Sequence, residues 1–367
     1  MAVWDRLFKS RKKQIRRRRN YKASNSGNLF ADFFGSSSNA DSNIRFNLRK
    51  IRDRCRDQAR NNQYARRYLQ LLVTNVVGQN GIRIQSKARN EDNSLDFIGN
   101  QIIEREFRKW SKKGNCTIDG KMSFLDAQKL FIETLARDGE VLVRHIKTNN
   151  PLDPYRIQFL DADYLDEEKN ENLNNGQEII MGVKLDKFKK PIAYMLFQEH
   201  PHNNYHGKYN RKHIEVKAED IIHAYQSERP EQTRGLPFMT TALSGMKMLD
   251  GYLEAELVAA RVGASKMGFF VSDAGDGYVG DDKEDDYTPI MSAEAGTFEQ
   301  LPEGMDFKTF DAQHPTSAFD SFQKAVLRGI ASGLGVSYVS LANNLEGVNY
   351  SSIRQGTLEE RDNYRIL

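Results

Sequence analysis

The sequence predicts an α+β protein in which a helical block, a sheet and a long helix succeed one another along the chain. Three observations predict it. Apolar residues recur at three- and four-residue steps from Leu48 to Val76, with period two from Gly139 to Tyr225, and again at helical steps from Leu243 onward. At 367 residues the chain has room for two or three domains. Hydrophobic residues make up 39% and charged residues 28%, and no run of about 18 apolar residues occurs, so neither a transmembrane helix nor a membrane partner is expected. The N-terminus lacks the apolar segment of a secretory signal. Cys55 and Cys116 lack metal-ligand spacing, which points to a reducing, intracellular setting for assembly.

Residues 1–46 read as a basic arm followed by a linker. The first 22 residues hold ten Lys or Arg, including Arg16, Arg17, Arg18 and Arg19, against the single acid Asp5. Such a cluster is either a solvated tail or a contact for a polyanion, because clustered cations displace the condensed counterions of nucleic acid. Ser, Asn, Gly and Phe then fill a linker to residue 46.

Leu48, Ile51, Cys55 and Ala59 form one helical stripe, which resumes after Asn61 and Asn62 as Tyr64, Tyr68, Leu69, Leu72, Val73 and Val76 and ends at Gly78. The opposite face carries Arg49, Lys50, Arg52, Arg54, Arg56, Arg60, Arg66 and Arg67, expected to be solvated and paired with acids of neighbouring subunits, or to touch phosphate. GIRIQS alternates and predicts a short strand. Ile103, Phe107 and Trp110 mark another helix, and Ser123 with Asp126 has capping-box spacing for the next. EVLVRHI, RIQFL, EIIMGVKL, PIAYMLF and DIIHAY predict strands of a mostly antiparallel sheet.

A long helix is predicted from Met239 to Met267, about 40 Å at 1.5 Å per residue. Leu243, Met246, Leu249, Leu253 and Leu257 keep one stripe, and Met248, Tyr252 and Ala255 widen it beyond a single core face. An insert follows, opening on GFFVSD and closing on FEQLPEGMDFKTF. Its acidic run includes Asp281, Asp282, Asp285 and Asp286 and reads as a solvated loop without EF-hand spacing. Phe319, Phe322, Val326 and Ile330 predict a helix stopped at Gly333 and Gly335. A polar loop with Asn343, Asn344 and Asn349 leads to Ser352 and Gln355, whose spacing would cap a last, polar helix from Ile353. Arg354, Arg361 and Arg365 on that helix are interleaved with Glu359, Glu360 and Asp362, so charge pairing is their first expected use.

Enzymatic signatures are scarce, and no cofactor is expected. GNCTIDGKM fails as a phosphate loop: the interval between its glycines is one residue too long, and Met122 stands where a Ser or Thr would hold Mg²⁺. His200, His202 and His206 fall in a turn-rich stretch with no further ligand to complete a metal set. Asp161 and Asp163, after a strand, suggest an alternative function as a metal-dependent nuclease served by the basic arm.

NQYARRYLQLLVTNVVGQNGIRIQ, AQKLFIETLARDGEVLVR, IQFLDADYLD, HAYQSERPEQTRGLPFM, LPEGMDFKTFDAQHPTSAFDSF and GVNYSSIRQGTLEERDNY occur in that order from about residue 45 to the end. Together they resemble the lambda-like portal family of tailed bacteriophages. The resemblance implies a portal fold: an α/β wing (47–237), a first stem helix (238–267), a small α/β clip (268–312), a second stem helix (313–335), a tunnel loop (336–352) and the start of a channel-lining helix (353–367). It implies a non-catalytic homo-oligomeric ring, dodecameric as a rule, at one capsid vertex of the virion. Terminase, capsid and scaffold proteins, head–tail adaptors and double-stranded DNA read without sequence specificity would be its partners. On this resemblance Asn343, Asn344, Asn349, Tyr350, Arg354, Arg361 and Arg365 face the DNA channel, and the clip acids dock partners. Leu249, Leu253, Leu257, Phe319 and Phe322 pack the stem between subunits. Family members usually run on past this point, so the crown is expected to be absent from this chain.

Overall fold

The computed structural model describes residues 37–148, 155–203, 212–264, 268–272, 305–309, 318–346 and 349–367. The basic arm, the acidic run and His206 lie outside these residues. The chain starts with α1 (Ala40–Arg45), α2 (Leu48–Asn61) and α3 (Gln63–Leu72). Asn62 separates α2 from α3, and its side chain accepts hydrogen bonds from the backbone N–H of Tyr64 and Ala65, capping α3. A wide π turn, Val73–Val77, extends α3 to Gly78, whose φ of 73° lets the chain leave the helix. Helices α4 (Phe97–Trp110) and α5 (Phe124–Asp138) follow, and the Ser123–Asp126 capping box forms as expected.

The segment GIRIQS is not a strand. Side chains of the neighbouring helices satisfy its backbone: Gln128 bonds both the N–H and the C=O of Ile82, and Glu104 accepts from Ser86 N. Ile82 and Ser86 thus bond side chains and not a neighbouring strand.

Two antiparallel sheets come next. β1 (Glu140–Lys147) pairs with β2 (Tyr155–Leu160) on one edge and β8 (Ile221–Tyr225) on the other. The second sheet runs in the order β3 (Glu171–Asn172), β4 (Glu178–Ile180), β5 (Val183–Leu185), β6 (Pro191–Phe197) and β7 (His213–Lys217). EIIMGVKL, predicted as one strand, is instead the hairpin β4–β5. Met181 and Gly182 make its turn at φ 45° and 83°, a left-handed conformation that favours glycine. β7 was not legible as a strand, because it is short and its outward residues are charged.

The long helix α6 spans Leu243–Ala264, entered through turns at Pro237–Ala242. β9 (Gly268–Ser272) pairs with β10 (Met305–Thr309), so the two ends of the insert close on each other. Then come α7 (Phe319–Leu334), α8 (Tyr338–Ala342) and α9 (Tyr350–Ile366). Gly335, at φ 68°, ends α7 as expected. The last helix starts three residues before the predicted Ile353, at Tyr350, so Ser352 lies inside it rather than capping it.

One core joins α2, α3, α5, α6, α7, α8 and α9, with Tyr68, Leu69, Met246, Leu249, Ile330 and Leu341 among its buried residues. A second fills the space between the sheets around Leu142, Leu165 and Leu196. A third lies between α5 and the other face of the three-stranded sheet, including Val141, Val143 and Ile157. Each fully buried aliphatic side chain contributes about 1.5–3 kcal/mol.

Candidate functional site

Two arginines of α2, Arg52 and Arg56, turn inward, while Arg49, Lys50, Arg54 and Arg60 stay exposed as expected. Arg52 is 2% exposed; its Nη1 donates to Asp163 Oδ1 at 2.8 Å, its Nη2 to Glu140 Oε1 at 2.6 Å. Arg56, one turn on, reaches Asp138 (2.9 Å), Asp161 (2.7 Å) and Asp163 (2.6 Å). Arg137 adds a 2.9 Å contact to Asp138. Arg234, wholly buried between β8 and α6, closes on Glu140 from the other side, and His223 Nε2 meets Glu140 Oε2 at 2.9 Å. Four arginines thus face four carboxylates, and most of the charge is hidden from water. Burial alone would raise the Glu140 carboxyl, but Arg234, His223 and Arg52 hold it well below the usual carboxylate range. Burial opposes ionisation of Asp163 and Asp138 too, and the facing arginines hold both low.

This overturns two expectations. Arg52 and Arg56 are not available to phosphate or to neighbouring subunits, because they are consumed within the chain. Asp161 and Asp163 do approach His200, with ligand atoms of the three residues within 4.8 Å of one another. However, Asp163 spends one oxygen on each of two guanidiniums, and Asp161 Oδ1 accepts from both Arg56 and Asp163 N. A dication there would face two fixed positive charges. The pair stabilises the fold and does not fit a Mg²⁺ nuclease. His202 stacks edge-on with His200 and is exposed.

The glycines beside this cluster fix the path from sheet to long helix. A Cβ on Gly235 would stand 2.0 Å from Gly139 O, and one on Gly139 would stand 2.3 Å from the Leu236 carbonyl carbon. The two backbones touch where β1 begins and the chain turns toward α6.

The predicted loop is more ordered than its composition suggested. Ser337 caps α8 by accepting from Ser340 N at 3.1 Å. Asn343 ends α8 at φ 52°, the left-handed conformation asparagine tolerates. Asn344 Nδ2 donates to Tyr338 Oη at 3.2 Å, and the Arg328 guanidinium lies 5.5 Å from the centre of the Tyr338 ring. Asn343, Asn349, Arg354, Arg361 and Arg365 are exposed; Asn344 is half-buried, and Tyr350 opens α9. Arg365 pairs with Asp362 at 3.3 Å, the intrahelical use expected. Glu360 does not pair with an arginine of α9: it is buried and turned toward α8, accepting from Ser337 N and, at 2.9 Å, from Ser340 Oγ.

Of the residues expected to pack between subunits, Leu249 is sealed in the chain's own core, and Leu253 packs against that core while staying half-buried. Leu257 is 66% exposed and its neighbour Val258 53%, while Met248, nine residues earlier and so on the opposite face of α6, is 77% exposed. Phe319 and Phe322 flank Tyr252, with ring centres 5.9 and 5.0 Å away, and Phe322 stays 50% exposed. The described part of Arg16–Arg19 and of Asp281, Asp282, Asp285 and Asp286 is nil, as they lie outside the described residues. A cavity of about 940 Å³, walled by Phe107, Trp110, Phe124 and Phe131 and bordered by Tyr364 of α9, was not anticipated. Its lining draws on α4, α5, α9, the end of α3 and the strands β1, β2 and β8, each readable alone only as a local apolar pattern.

The sequence places the chain in a known family. The chain matches "Phage portal protein, lambda family" over residues 26–367, and it belongs to that family. A "Probable portal protein" of Halomonas phage phiHAP-1 is 39% identical over 313 residues, covering 84% of this chain and 60% of the relative. "Portal protein B" of Escherichia phage lambda is 22% identical over 335 residues, covering 82% of this chain and 61% of the relative. The chain therefore spans about 60% of the length of these curated relatives. Among solved structures, a chain from the virion of the native gene transfer agent (GTA) particle shares the fold at TM-score 0.51 and 14% identity, covering 91% of this chain and 82% of that one. A chain from the neck of the empty GTA particle, computed with C6 symmetry, gives TM-score 0.50 at 13% identity, covering 82% and 75%.

Proposed function

We propose that this chain is a portal subunit: copies of it close into a dodecameric ring at one vertex of a phage capsid, through which double-stranded DNA is packaged and later ejected. The observation that carries this is family membership over residues 26–367, which takes in every described helix and strand. Two features of the geometry support it. Met248, Leu257, Val258 and Phe322 leave apolar side chains exposed on more than one face of α6 and α7, which suits a head-to-tail ring with a neighbour on each side. And α9 presents Arg354, Arg361 and Arg365 outward beside a loop of asparagines, suited to weak contact with a moving polyanion. A conduit must not grip its cargo, since each firm phosphate contact would have to break at every step.

On this reading residues 47–237 form the wing, α6 and α7 the stem, and the β9–β10 insert the clip. Asn343, Asn344, Asn349 and Tyr350 belong to the tunnel loop. The acids Asp281, Asp282, Asp285 and Asp286 dock terminase and then head–tail adaptors, and Arg16–Arg19 contact nucleic acid. Capsid and scaffold proteins surround the ring, which is assembled in the host cytoplasm, and the protein itself catalyses nothing. Electron microscopy of the purified protein tests the proposal. Rings with a central hole are expected; a population of monomers alone at high concentration overturns it.

A further inference from the structure

Glu360 is the buried acid of the last helix. It is 8% exposed, while Glu359, Arg361 and Asp362 around it are exposed. Its two oxygens take separate donors on the far side of the loop: Oε1 accepts from Ser337 N, and Oε2 accepts from Ser340 Oγ at 2.9 Å. Ser337 is the residue that caps α8, so Glu360 completes the cap by taking the N–H that Ser337 cannot serve itself. One turn further along α9, Asn363 Nδ2 donates to Gly335 O at 3.2 Å. From the opposite side Arg67 Nε donates to Ser340 O at 3.1 Å, and Leu341 is 2% exposed in the main core. The base of the loop, Gly335–Ala342, is thus held by α9, α3 and the core together.

Past Ala342 the contacts change character. Asn343 reverses the chain in the left-handed conformation, Leu345 is 66% exposed, Asn344 bonds Tyr338 Oη at 3.2 Å, and Glu346 meets Lys324 at 3.4 Å while its N–H donates to Asn344 Oδ1. These contacts run to α7 and α8 and not to α9.

We propose that Glu360 is a positioning residue that ties α8 to α9, so that the base of the loop, Gly335–Ala342, and the last helix move as one body. The proposal rests on the portal reading for its meaning: the constriction would then be set by the attitude of α9. A carboxylate suits the task because it accepts from two donors at once. Alanine strands both donors. Glutamine keeps one acceptor and offers an N–H₂ that can donate to the Ser340 hydroxyl.

The test is a distance measurement between nitroxide labels at Val339→Cys and Glu359→Cys. Both native cysteines are buried and stay unlabelled. Labelled chains are diluted with unlabelled ones so that only distances within one chain are read. In the parent this pair is expected to give a narrow distribution. Glu360→Ala should at least double its width, with Glu360→Gln in between. An unchanged width in Glu360→Ala, with its circular dichroism and Tm intact, overturns the proposal. Should Glu360→Ala fail to fold, Ser340→Ala removes the hydroxyl that meets Oε2 and leaves the Ser337 N–H in place: broadening there supports the tie, and an unaltered width overturns it. None of these readings depends on whether rings form, so the tie and the portal function succeed or fail separately.

Discussion

Arg234 and Glu140 are both wholly screened from solvent and face each other side-on, with Arg234 Nε 3.0 and 2.8 Å from the two carboxylate oxygens. Glu140 opens the central strand of one sheet, and Arg234 lies on the stretch that leads out of that sheet into α6. The same arginine donates through Nη1 to Met181 O at 2.8 Å in the other sheet. One side chain therefore pins both sheets and the start of the long helix. Removing a single partner from such a buried pair costs about 3–5 kcal/mol, because the remaining charge is left uncompensated. Arg234→Met should lose that much in urea unfolding. The double variant Arg234→Met, Glu140→Leu should cost clearly less than the sum of the two single changes, since each removes the charge that the other strands.

Acid should unfold the protein through the same cluster. The carboxyls of Glu140, Asp138 and Asp163 titrate lower in the folded chain than in the unfolded one. The unfolded chain then binds protons first, so their contribution is fully present above the unfolded values of about 4 and is lost as pH falls through the folded ones. Tm measured from pH 7 downward should hold level until about pH 5 and then fall steeply. A Tm that rose on acidification would contradict the assignment.

Cys55 should not react. Burial, and secondarily the charge of Asp138, pushes its thiol up to about 12, and it is 0% exposed. At neutral pH almost none of it is thiolate, the reactive form. Alkylation should proceed only through global unfolding, so its rate in rising urea should track loss of the circular dichroism signal.

Gly235→Ala should be severe for its size. The new methyl would stand 2.0 Å from Gly139 O, a backbone atom that cannot step aside without opening the joint between β1 and the approach to α6. A loss well above the roughly 1 kcal/mol typical of point variants is expected by thermal unfolding. Gly251→Ala, where a Cβ meets nothing within 4 Å, should instead be neutral or stabilising.

Leu257→Glu should separate folding from assembly. The side chain is 66% exposed on α6, so its loss should change monomer stability by no more than about 0.5 kcal/mol. In a ring it would place a charge in an apolar contact. Mass photometry should show the ring population collapse while the monomer melts as before.

Local periodicity determined the longer helices and most strands, because the amphipathic stripe of α2 and α3, the Ser123–Asp126 box and the glycine stop of α7 are physics of adjacent residues; it missed α1, inside the expected linker, and α8, inside the expected loop, both only one or two turns long. The ordered motifs also determined the family. Tertiary structure alone decided what the polar residues do. Arg52 and Arg56 looked like a solvated face because spacing records which residues share a side of a helix, and not what lies opposite that side; their partners sit 82 to 111 positions away. Asp161 and Asp163 had the look of a metal pair until those guanidiniums arrived from the same distance. GIRIQS alternates like a strand, yet Gln128 takes the backbone of Ile82 and Glu104 the N–H of Ser86. Glu360, one acid among several on a polar helix, acquired its distinct position only when α8 folded back against it. Burial and charge pairing depend on the whole chain closing, and no local pattern records that.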